Sequence, residues 1–89
     1  MNKMTEDYIR QKFNLDESIR DIMSIPKSND YLIITELKII RTEGDTSIKW
    51  SSGFHKDIIL NAKLLKNKIK VDEFKNNSYY LDLNSGKLI

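Results

Sequence analysis

The sequence contains no cysteine, and other residue types that carry chemistry are scarce in it. Without cysteine there can be no disulfide, thiol nucleophile or thiolate metal site. The three glycines, at positions 44, 53 and 86, lie too far apart to form a phosphate-binding loop. The single histidine, His55, has no zinc-protease, calcium-loop or serine-hydrolase spacing around it. We therefore expect a protein that is not an enzyme and that binds neither a metal nor a cofactor.

Long apolar runs are also missing. No stretch approaches the roughly 18 apolar residues of a membrane-spanning helix, and the first residues lack the basic-then-apolar pattern of a secretory signal. The 89 residues are enough for a single domain, residues 1–89, around one small core. We expect a protein of the bacterial cytoplasm without membrane contact.

Lysine, isoleucine and asparagine are abundant, with 12, 13 and 8 residues, whereas the chain has three arginines, one alanine and one valine. AT-rich codons produce this bias. The composition therefore indicates a low-GC bacterium, one of its phages or a mobile element.

Basic residues are concentrated in the second half of the chain. Residues 1–45 carry seven basic and nine acidic groups, whereas residues 46–89 carry eight and four. Such a cluster can form an anion-binding patch, although lysines on exposed strands also keep sheet edges from aggregating. The lysines between residues 49 and 70 that could contact a partner are Lys49, Lys56, Lys63, Lys66, Lys68 and Lys70.

The N-terminal part of the chain predicts helix. Thr5 can cap a first turn that begins with two acidic residues. Pro26 would end a second helical segment. In that segment apolar side chains recur at helical spacing, at Leu15, Ile19, Ile22 and Met23. We expect a short helix or a helix pair over residues 5–25.

From Tyr31 the pattern changes to short β-branched runs separated by turn residues. A first hairpin turns near Gly44. Its preferred register pairs Ile39 with Trp50, because this register gathers apolar side chains on one face, and the alternative pairs Ile40 with Ile48. We expect an α+β domain in which the helical segment packs on an antiparallel β-meander over residues 31–83.

A second hairpin is predicted around a three-residue loop, Lys75–Asn77, with Asn77 in the left-handed conformation. This loop places Val71 opposite Leu81 and Lys70 opposite Asp82. Between the hairpins, residues 57–68 fit either a strand or a helix, and the Ile-Ile pair favours a strand.

The stretch "WSSGFHK", residues 50–56, allows two interpretations. In the preferred register Trp50 and Phe54 face the core, and "SSG" is a bend or the end of a strand. Alternatively an aromatic ring stands beside lysines as a platform for single-stranded nucleic acid. Tyr79 or Tyr80 could supply that ring, because adjacent strand residues face opposite sides.

Two functions are therefore expected. The first is a protein-binding inhibitor or adaptor from a phage or mobile element, which covers a surface of a host protein such as a defence protein. Small size, the absence of a catalytic motif and sheet edges that can accept a partner strand favour it. The alternative is a sequence-tolerant nucleic-acid binder that uses the lysine cluster with an aromatic. Scarce arginine disfavours sequence-specific DNA recognition.

Overall fold

The computed structural model describes residues 5–53 and 56–89. In these ranges one α-helix, α1 (Glu6–Lys12), precedes seven strands, and a single turn of 3-10 helix (Phe74–Asn76) joins the last two. The strands are β1 (Ile19–Ser24), β2 (Tyr31–Thr35), β3 (Ile39–Glu43), β4 (Ser47–Ser51), β5 (Ile59–Leu64), β6 (Lys68–Glu73) and β7 (Asn77–Asp82). They form two antiparallel sheets, with the orders β1-β2-β3-β4 and β5-β6-β7. The α+β class with an antiparallel meander is confirmed at this level, and the meander is divided between two sheets.

The two sheets and the helix form three layers. One face of the first sheet packs on the second sheet through a core of branched apolar side chains, among them Leu32, Ile34, Ile39, Ile69, Val71 and Leu81. The other face of the first sheet is covered by α1, where Ile9 packs on Ile33 and Ile40. Strand β2 is buried on both faces, which explains its nearly continuous apolar sequence. Within the residues that the structure describes, the second sheet is covered on one face only.

Helix α1 begins as the sequence predicts. The Thr5 hydroxyl accepts a hydrogen bond of 3.2 Å from the Tyr8 amide, which satisfies one of the free N–H groups of the first turn. Asn14, with φ 55°, stands in the left-handed conformation that ends many helices. Over residues 5–53 and 56–89, the helical segments fall short of the length and apolar content that crossing a bilayer requires.

The prediction of helix up to residue 25 is wrong. The chain leaves the helix after Lys12, and β1 occupies Ile19–Ser24. In β1 a bulge at Arg20 adds one residue, so that Ile19 and Ile22 lie on the same face and both pack against the helix side of the first sheet. The bulge thus gives a strand the three-residue apolar spacing of a helix.

The ambiguous segment is a strand over Ile59–Leu64, in agreement with the favoured alternative. It carries the same irregularity as β1. A bulge at Leu60 puts Ile59 and Ala62 on the core side although they are three residues apart.

Both predicted registers of the first hairpin are wrong. Strand β3 pairs with β4 through Arg41 opposite Trp50 and Thr42 opposite Ile48. The turn takes residues 44–46, and Lys49 is the extra residue of a bulge. The bulge leaves Trp50 on the core side and Ile48 exposed. The preferred register assumed that all apolar side chains of the hairpin are buried on one face, and this assumption does not hold for Ile48.

The second hairpin lies where it was predicted, with its register shifted by two residues. The loop is Phe74–Asn76 rather than Lys75–Asn77, and Lys75 and Asn76 take the left-handed conformation instead of Asn77. A shift of two leaves every side chain on its predicted face. Its partners change, however, so that Lys70 lies opposite Tyr80 rather than Asp82.

Trp50 packs at the edge of the core, as the first interpretation of "WSSGFHK" predicts, and β4 ends at Ser51. Its indole N–H donates a hydrogen bond of 3.0 Å to the Leu83 carbonyl. Its ring lies directly on Gly86, where an added Cβ would stand 2.4 Å from a ring carbon. Gly86 also has φ +74°, so both the space and the backbone require glycine.

Replacement of Gly86 by a residue with a side chain should lower the stability of the protein. Gly86→Ala is expected to lower the free energy of unfolding by about 2–4 kcal/mol, because strained backbone and overpacking against the indole add together. Urea unfolding followed by far-UV circular dichroism measures it. Gly53→Ala is the matched control, since a Cβ there meets nothing within 4 Å. Equal losses in the two variants would contradict the packing of Trp50 on Gly86.

Candidate binding face

A buried carboxylate organises the side of the molecule where the sheets meet. Asp30 precedes β2 and is 5% exposed, and its Oδ2 lies 2.8 Å from an Arg41 guanidinium nitrogen and 2.7 Å from the Lys49 ammonium. The hydrogen bond from Lys49, helped by that from Arg41, holds the pKa of Asp30 below its ordinary value, against the opposing effect of burial. The ammonium of Lys49 is therefore bound within the protein, by Asp30.

The same cluster reaches the second sheet. Arg41 donates a further hydrogen bond of 3.1 Å to the Leu83 carbonyl, which also accepts the Trp50 indole. A main-chain oxygen that follows β7 thus receives two donors from the first sheet. These hydrogen bonds join the two sheets at defined positions, which apolar packing alone does not do.

The outer face of the second sheet turns away from the core and is left to solvent in the described part of the chain. Alternation along the strands decides which side chains it presents, because their neighbours Ala62, Ile69, Val71 and Leu81 are buried. We define this outer face by the following six residues, which three strands bring together: Lys63, Lys68, Lys70, Asp72, Tyr80 and Asp82.

Its central row runs across all three strands. Lys63 on β5 lies opposite Lys70 on β6, and Lys70 lies opposite Tyr80 on β7. Two lysines directly opposite each other repel, which weakens the strand pair unless an anion lies between them. The ammonium of Lys68 stands 4.7 Å from the centre of the Tyr80 ring, a cation–π contact that holds both side chains over the sheet.

Two carboxylates flank this row. Asp72 accepts a hydrogen bond of 2.7 Å from Ser78 and lies 4.0 Å from the Lys70 ammonium. Asp82 lies opposite Lys68, and the amide of Ser85 bonds its carboxylate, which lowers the pKa of Asp82. The face therefore has a positive centre with a negative group on each side.

Four of the eight predicted contact residues come together on the outer face: Lys63, Lys68, Lys70 and Tyr80. The other four lie elsewhere. Lys49 pairs with Asp30, Lys56 lies in the connection before β5, and Lys66 lies in the turn between β5 and β6. Tyr79 faces the core, where its hydroxyl donates a hydrogen bond of 2.7 Å to the buried Glu73.

The predictions for Phe54 and His55 lie outside the described residues. Among residues 5–53 and 56–89, no group of three or more His, Asp or Glu side chains could hold a metal ion. No protein-family model, curated protein or solved structure matches this chain. The function must therefore be inferred from the surfaces themselves.

The Asp30 cluster predicts a pH-dependent stability. The Asp30 carboxylate binds a proton less readily in the native state than in the unfolded chain. Its contribution to stability is therefore fully present above the ordinary pKa of 3.8, and it is lost as the pH falls through the lower native pKa. Asp30→Asn should reduce the free energy of unfolding by about 3 kcal/mol at neutral pH, because it leaves Arg41 buried without a counter-charge.

Urea unfolding near pH 7 and again near pH 3 tests this expectation, since the difference between Asp30→Asn and the parent should narrow in acid. Asp16→Asn, at an exposed position, is the control. A penalty of the same size at both pH values would contradict an electrostatic role for Asp30.

The lysine pair on the outer face predicts a small gain in stability on neutralisation. Lys63→Gln should raise the free energy of unfolding by about 0.3–0.5 kcal/mol in low salt, because it removes a cross-strand repulsion. The gain should shrink in about 0.5 M salt, where charges are screened. Denaturant unfolding measures both values, with the exposed Lys56→Gln as control. A gain that is insensitive to salt would instead indicate a change in strand propensity.

Proposed function

We propose that this protein is a non-enzymatic binding module, an inhibitor or adaptor, which applies the outer face of its second sheet to an acidic surface of a partner protein. The observation that carries the proposal is the row formed by Lys63, Lys70 and Tyr80 on a sheet face that no segment of residues 5–53 and 56–89 covers. Because the chain is small and has a low-GC composition, we propose that a phage or mobile element encodes it. Its partner is then a protein of the bacterial host.

The sheet edges support a face rather than an edge as the binding surface. Bulges interrupt three edge strands, at Arg20 in β1, Lys49 in β4 and Leu60 in β5. The edge of β7 is occupied by the last residues of the chain, where Leu88 bridges to Leu81. Bulges and covering segments prevent the addition of a further strand at a sheet edge. The edges of this protein therefore do not favour binding by an added partner strand.

The mixed charge of the outer face favours a protein partner. Asp72 and Asp82 would repel a continuous phosphate backbone, whereas a protein surface can place acids against the lysines and bases against the aspartates. Tyr80 is 37% exposed, and a half-exposed tyrosine is a common anchor at protein interfaces. The ammonium of Lys68 lies over one side of the Tyr80 ring, so that side is already occupied by a cation.

Binding of single-stranded nucleic acid remains the second candidate. The like-charged pair of Lys63 and Lys70 favours it, because a phosphate between two ammonium groups would relieve their repulsion. Tyr80 in the same row would offer a ring to a base. Steep salt dependence would distinguish this function from a protein interface.

A tagged pull-down from a low-GC bacterial lysate, divided into nuclease-treated and untreated halves, tests the proposal. The expected result is a stoichiometric protein that survives nuclease. Its affinity should fall about tenfold or more with Tyr80→Ala, or with Lys63→Glu combined with Lys70→Glu, because an anchor and the complementary charge are lost.

The matched control is Lys12→Glu combined with Lys56→Glu. It makes the same change in net charge at exposed positions outside the outer face. Equal loss of affinity in the two double variants would contradict a specific face. Recovery of mainly RNA or DNA, with proteins lost after nuclease, would replace the protein partner by the second candidate.

A further inference from the structure

A groove lies at one end of the sandwich and is lined by residues other than the six of the outer face. There the connection between β1 and β2 faces the turn between β5 and β6. The groove encloses about 520 Å³, within the range of roughly 300–1,000 Å³ that is typical of small-molecule sites. Its lining consists of Ile25, Pro26, Lys27, Leu64, Leu65, Lys66, Asn67 and Leu83.

The groove is apolar inside, and one large apolar side chain also lies at its rim. Ile25 is buried, and Leu64 and Leu83 are half-buried at the margin of the core. Leu65 is 38% exposed at the turn, so a large apolar side chain there faces water. A ligand with an aliphatic body would remove this surface from solvent, which is the main source of affinity in such sites.

The charge of the groove has one sign. Lys27 and Lys66 are its charged lining residues, and no carboxylate lines it. Within the described chain, neither lysine lies within salt-bridge distance of an acid. An anion would therefore find two unpaired ammonium groups beside an apolar floor.

The backbone holds Lys27 in place. Its φ of 62° lies in the left-handed region, which glycine or asparagine adopts more readily than lysine. The turn is fixed by the Ser28 hydroxyl, which donates to the Ile25 carbonyl at 2.8 Å, and by the Ile25 amide, which donates to the Asp30 carbonyl. These bonds set the backbone from which Lys27 projects, while its side chain keeps its own rotamer freedom.

We propose that this groove binds a free aliphatic carboxylate, with the acyl chain on Ile25, Leu64 and Leu83 and the carboxylate beside Lys27 and Lys66. The proposal goes beyond the function inferred above, because it uses a different surface and a different class of ligand. It commits to a small amphipathic anion, for which the apolar floor and the cationic rim are complementary.

Titration of octanoate, decanoate and dodecanoate into ¹⁵N-labelled protein, below their micelle concentrations, tests it. Amide signals should shift at Ile25, Lys27, residues 64–67 and Leu83. Affinity should rise about fourfold for each added methylene until the chain fills the groove, as expected for burial of aliphatic groups. Decyltrimethylammonium, which has an aliphatic chain and the opposite charge, should bind at least about tenfold more weakly than decanoate.

Two pairs of variants locate the site. Leu65→Asp should weaken decanoate binding about tenfold or more, whereas Leu37→Asp, at an exposed leucine in another turn, should not. Lys27→Gln combined with Lys66→Gln should have a similar effect, and the matched pair Lys12→Gln with Lys56→Gln should leave binding unchanged.

Equal affinity for decanoate and decyltrimethylammonium would overturn the proposal, as would the absence of any decanoate binding. Amide shifts confined to residues outside the groove would also overturn it. So would an equal loss of decanoate affinity in Leu65→Asp and Leu37→Asp. Lys63→Glu combined with Lys70→Glu should leave decanoate binding intact. A failure of the binding face and a failure of the groove are therefore separate results.

Discussion

The pairing of Arg41 with Asp30 is the interaction on which the arrangement of the sheets depends. A guanidinium that points between two packed sheets is tolerated only with a counter-charge and with partners for its remaining donors. Asp30 supplies the charge, and the Leu83 carbonyl accepts another N–H. Apolar contacts between the sheets would allow several relative positions, whereas these directional bonds select one. Lys49 and Trp50, neighbours on β4, strengthen the same junction from the open edge.

The layer arrangement decides which surfaces are free to bind. The first sheet lies between α1 and the second sheet, so its apolar side chains on both faces belong to the fold. In the described part of the chain the second sheet has one covered face, and its other face presents polar and aromatic side chains to solvent. The lysine pair at its centre is unfavourable for pairing of β5 with β6. A pair that weakens a small domain supports a binding role, alongside the protection of the β5 edge that Lys63 also provides.

The sequence predicted the helix start, the strand character of residues 59–64 and the faces of the second hairpin, because each follows from local chemistry and an uninterrupted period. It failed where bulges insert a residue and where a turn has another position or length than expected, as in both hairpins. At Arg20 the insertion imitated a helical stripe, and at Lys49 it displaced Trp50 by one position relative to β3. Of the candidate site, sequence alternation could place Lys63, Lys68, Lys70 and Tyr80 on one surface once the strands were known. The partnership of Asp30 with Lys49 joins residues 19 positions apart, and no local pattern signals it.

The position of Trp50 also gives the protein an intrinsic fluorescence signal for the docking of its two sheets. It is the one tryptophan in the chain, and its indole lies between a strand of the first sheet and the turn that follows the second. Intrinsic fluorescence therefore follows the docking of the sheets on each other and is nearly blind to the helix on the far side. A chain in which α1 has frayed would keep the native emission, whereas one in which the sheets have separated would lose it. Comparison of this signal with helix-sensitive circular dichroism would reveal whether the layers come apart together or in sequence.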